Sequence, residues 1–110
     1  MMDVMPPLEG SREEVVTRIR NRMEALDAEM ADLMRKTLRR NDTELQIRVE
    51  RAKKSAAEKG SELETVLAQA ETADESDWPE ARDMLRSTWI EYKEAVDRAR
   101  LDLERAEELA

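Results

Sequence analysis

Three observations predict an all-α protein, an antiparallel up-down-up three-helix bundle of coiled-coil character. First, apolar residues step by three and four at Val16, Ile19, Met23, Leu26, Met30 and Leu33, the rhythm of a helix with one buried seam. Second, that rhythm breaks twice. It returns as Leu45, Val49, Ala52, Ala56, Leu63, Val66 and Ala70, and again as Leu85, Trp89, Tyr92, Val96, Ala99, Leu103 and Ala106. Third, charged residues make up 42 % of the chain and aromatic residues only 3 %, the balance of long exposed helices around thin apolar seams.

The elements follow in order. Residues 1 to 10, with Pro6, Pro7 and Gly10 and no periodicity, read as a disordered lead. Residues 11 to 110 form one helical domain, which is what 110 residues allow. Ser11 and Glu14 have capping-box spacing and open a helix over 12–40. Its last turns carry Arg35, Lys36, Arg39 and Arg40, cations suited to the negative end of a helix dipole.

Asn41-Asp42-Thr43-Glu44 is the first break, with Asn41 and Glu44 spaced as a second capping box. The first seam, continued, would fall on position 44, but the second restarts at Leu45. So small a slip fits a short turn better than a coiled-coil stutter. The second helix spans 43–73 and is predicted to run through Gly60, since one interior glycine costs only ~1 kcal/mol. Thr72 to Asp77 is a cluster of turn formers. Asp77 then caps a third helix over 77–109, with Pro79 in the first turn, where a missing N–H does no harm.

Segments of about 29, 31 and 33 residues, each roughly 45 to 50 Å long at 1.5 Å per residue, pack side by side when joined by short turns. Folding the chain near 42 and 75 sets Met23 and Leu26 level with Trp89 and Tyr92. Ala56, Ala57 and Gly60 then face the same layer, and Gly60 is predicted to be small so that the Trp89 indole fits. Charge favours the same topology. The acids of 61–80 (Glu62, Glu64, Glu71, Asp74, Glu75, Asp77 and Glu80) come beside Arg12, Arg18, Arg20 and Arg22. At the other end, basic residues from Arg35 to Lys54 come beside Asp102, Glu104, Glu107 and Glu108. The alternative is a long bent helical hairpin, with 12–73 nearly continuous, that dimerises.

Composition also bounds function. A net charge of -8 argues against nucleic acid, whose phosphates need a basic surface. Without histidine or cysteine, imidazole bases, Ser-His-Asp triads, thiolate metal sites and disulfides are ruled out. No glycine-rich phosphate loop is present, and the first seam is apolar throughout. The sequence therefore predicts a protein that is not an enzyme, with no catalytic, cofactor or metal residues. No stretch approaches the ~18 apolar residues of a membrane span, and the start lacks the features of a signal peptide, so a cytoplasmic protein is expected.

Trp78, Trp89 and Tyr92 are the only aromatic residues, and Trp78 and Trp89 lie three turns apart on one face. They are the candidate partner contacts, because Trp and Tyr dominate binding interfaces. For Trp89 and Tyr92 a core role has the greater weight. Expected partners are a second copy or another protein, in a monomer–dimer equilibrium with dimer slightly favoured. An amphipathic-helix protein that binds lipid at a membrane surface is the second reading. Acidic charge and an alanine-rich second seam count against it.

The stretch Met23-Glu24-Ala25-Leu26-Asp27-Ala28-Glu29-Met30, an Ala/Lys/Glu-rich middle, and Trp78 and Trp89 spaced by eleven on the third helix resemble a family of small bacterial coiled-coil proteins. The resemblance covers about residues 20 to 107. Pro79 and Gly60 depart from the family's usual residues. Its members are largely uncharacterised, sometimes labelled stress-response or apolipoprotein-like. The resemblance thus implies a helical, non-catalytic protein and supplies no site residues.

Overall fold

The computed structural model describes residues 10–109, so the lead predicted for residues 1 to 10 lies, apart from Gly10, outside the described residues. Among the described residues three helices pack around one hydrophobic core: α1 (Arg12–Arg40), α2 (Thr43–Glu71) and α3 (Trp78–Leu109). Contacts between them fix the topology. Arg20 near the start of α1 pairs with Glu71 at the end of α2, so these two are antiparallel. Asp27, Glu29 and Arg40 of α1 meet Tyr92, Arg100 and Ala106 of α3 in ascending order, so α1 and α3 are parallel. The bundle is 53 Å long, close to the length of a single helix.

Each boundary has a local cause. Ser11 accepts a hydrogen bond from the Glu14 N–H at 3.2 Å while its own N–H donates to the Glu14 carboxylate at 3.1 Å, completing the predicted capping box. Those bonds, led by the one from the Ser11 backbone, hold the Glu14 carboxyl below the usual range. The first turn differs in detail from expectation. Asn41 does not cap α2. It ends α1 in the left-handed region (φ 54°, ψ 40°), and Asp42 caps α2 by accepting from the Leu45 N–H at 3.1 Å. Asparagine tolerates that conformation better than other residues with a Cβ.

The α2 helix runs unbroken through Gly60 and stops at Glu71, two residues short of the prediction. There the Thr72 hydroxyl donates to the carbonyls of Ala68 (3.4 Å) and Gln69 (3.3 Å), satisfying groups that another turn of helix would have used. The Asp74 carbonyl then accepts from the Asp77 and Trp78 N–H groups, both at 3.0 Å, and α3 begins at Trp78.

The core holds the predicted seams, except that Leu26 and Ala106 are only partly buried against it, and with further adjustments. Val15, Leu67 and Ala95 are also buried, because a helix facing two neighbours buries a wider stripe than a two-position seam. Thr37 continues the α1 seam, its hydroxyl donating to the Leu33 carbonyl at 2.8 Å. Ala57 is exposed, and Gly60 faces Tyr92 instead of Trp89: a Cβ at position 60 would lie 3.4 Å from Tyr92 Cε1.

Candidate interaction surface

The three aromatic residues occupy two environments. Trp89 and Tyr92 are 2 % and 1 % exposed, with ring centroids 5.9 Å apart, and lie inside the closed bundle. In this state neither ring offers a surface to a partner. Trp78 is half-buried, packed on the core from the first position of α3. The sequence weights Trp89 and Tyr92 toward the core and leaves Trp78 open, because spacing puts residues on a face without saying where along the bundle that face is covered.

Around Trp78 the chain forms a crevice. It lies between the start of α1 and the turn before α3, lined by Gly10, Ser11, Arg12, Glu13, Glu75 and Trp78. Gly10 (φ 106°) leads into the Ser11 cap at its edge in a conformation that side chains rarely adopt. A second crevice shares Arg12 and Glu13 and continues past Val16 and Thr17 to the Arg20–Glu71 ion pair. Together they make a surface in which one aromatic ring is rimmed by charges of both signs. The charge pattern foretold the Arg20–Glu71 end, but not that Glu75 and Arg12 would flank Trp78.

The polar contacts elsewhere serve the fold. The Tyr92 hydroxyl lies 2.5 Å from Asp27 Oδ1 and 3.3 Å from the Met23 carbonyl, tying α3 to α1. Burial first, and the Asp27 carboxylate second, push the Tyr92 phenol well above its ordinary range. Tyr92→Phe should therefore cost about 1–2 kcal/mol near neutral pH, measured by chemical denaturation. Because the native phenol stays neutral, its contribution is complete below the unfolded value of about 10 and fades above it. The wild type should lose its advantage over Tyr92→Phe as pH rises past that point.

On the other flank, Arg100 holds Glu29 across α1 and α3 and Asp97 within α3, and Glu29 raises the Arg100 guanidinium further. Arg40 donates to the Ala106 carbonyl at 2.9 Å near the far end. Among the described residues no three His, Cys, Asp or Glu side chains gather as metal ligands, and no helix is long and apolar enough to cross a membrane. No family model matches the chain, and no curated protein or solved structure matches it either.

Proposed function

We propose that this protein is a non-catalytic helical-bundle module of the cytoplasm that works by binding protein, a second copy of itself in the first instance. The observation that carries this reading is Trp78. It is the one aromatic ring at the edge of the core, and it sits in a crevice rimmed by Arg12, Glu13 and Glu75. An amphipathic ring ringed by polar groups is the composition of an interface hot spot.

Light scattering coupled to size exclusion tests it. Mass should rise from the 12.8 kDa of one chain toward twice that value with concentration. Where the copies dock at the crevice, Trp78→Ala should weaken the dimer at least about tenfold, the scale of a hot-spot residue. Its effect on the unfolding midpoint should be clearly smaller than that of Trp89→Ala. Liposome co-sedimentation examines the lipid reading, and clear binding to anionic vesicles at physiological salt would favour it over this one.

A further inference from the structure

The connection between α1 and α2 and the manner in which α1 is held both point to a second way of using the same contacts. Among the described residues Asn41 alone of the non-glycine residues has a positive φ, and with Asp42 it forms the whole link between two helices of 29 residues each. Short hinge loops under strain invite the exchange of elements between copies, and a left-handed residue with a Cβ is one source of such strain.

The first helix is also the separable one. The closest approach is between α2 and α3, which carry small residues: Ala52, Ala56, Gly60 and Ala70 on one, Ala95 and Ala99 on the other. By contrast α1 seats through the longer side chains of Met23, Met30 and Leu33. Polar latches hold its rim, from Arg20 to Glu71, Asp27 to Tyr92, Glu29 to Arg100 and Arg40 to the Ala106 carbonyl. An identical α2–α3 hairpin on another copy presents every one of these partners.

We propose that two copies of this chain associate by exchanging α1, each α1 packing on the α2–α3 hairpin of the other. The proposal rests on the self-binding reading above. Exchange builds the Trp78 crevice from Gly10 and Arg12 of one copy and Glu75 and Trp78 of the other, the same contacts the monomer makes, so Trp78→Ala should leave the affinity of an exchanged dimer unchanged and weaken only a dimer docked at the crevice.

The chain has no cysteine, so spin labels can be placed singly at Arg20→Cys in one batch and Arg86→Cys in another. After the two are unfolded together and refolded, the dimer fraction should show an inter-chain distance within about 20 Å, as helix spacings of 8–10 Å require. Asn41→Gly relieves the left-handed residue, whereas Asn41→Ile makes it worse. With two hinges per dimer, Asn41→Ile should dimerise about a hundredfold more tightly than Asn41→Gly. A dimer that lacks the inter-chain distance and ignores both hinge variants overturns the exchange while leaving self-binding in place. Monomer for all three sequences at every concentration overturns both.

Discussion

Trp89→Ala is expected to cost about 3–5 kcal/mol, a large share of the stability of a domain this small. The indole is 2 % exposed, sits mid-bundle and touches Tyr92, so its removal leaves a cavity that rigid helices on three sides cannot collapse into. Trp78→Ala removes the same atoms from a half-buried site, where water can enter and no closed void is left. The two variants, compared by chemical denaturation, should differ by about 2 kcal/mol or more. Equal and mild losses would show that Trp89 is not enclosed and would return it to the candidate partner contacts.

The same pair of tryptophans shows what could be read from the sequence. Period, caps and charge act locally or along one helix, so the three helices, the Ser11 box and the turn near 41–42 were legible. The level at which α1 meets α3 was legible too, because short turns leave little freedom in register, and the Tyr92 bond to the Met23 carbonyl sits where folding at the turns puts it. What escaped depends on rotation about the helix axes. Whether Gly60 meets Trp89 or Tyr92, or whether Ala57 faces in or out, turns on a few tens of degrees, and neighbouring apolar positions do not encode them. The crevice at Trp78 depends on two segments far apart in the chain, 10–13 and 75–78, and no periodic signal marks it. Asn41 is ambiguous in sequence for a simpler reason: Asn serves both as a helix N-cap and as a left-handed helix end, and only the φ of 54° separates the two roles.

Position 60 offers a test of this close packing, because its sign should reverse with side-chain size. Glycine inside a helix costs ~1 kcal/mol relative to alanine, so Gly60→Ala begins with a gain. Its Cβ would sit 3.4 Å from Tyr92 Cε1 and 3.7 Å from Cδ1, contacts that ask for little movement. The net effect should be a stabilisation of about 0.5–1 kcal/mol. Gly60→Leu gains the same backbone preference but sends further carbons toward the Tyr92 ring. That ring is held by its contact with Trp89 and by its hydroxyl bond to Asp27. Overpacking of this kind costs about 1–3 kcal/mol, and here it also drives the phenol off its partner, so Gly60→Leu should be destabilising overall. If leucine proves as stabilising as alanine, the spacing of α2 and α3 at this level is not set by contact with Tyr92. The tight hairpin on which α1 is seated would then need another cause.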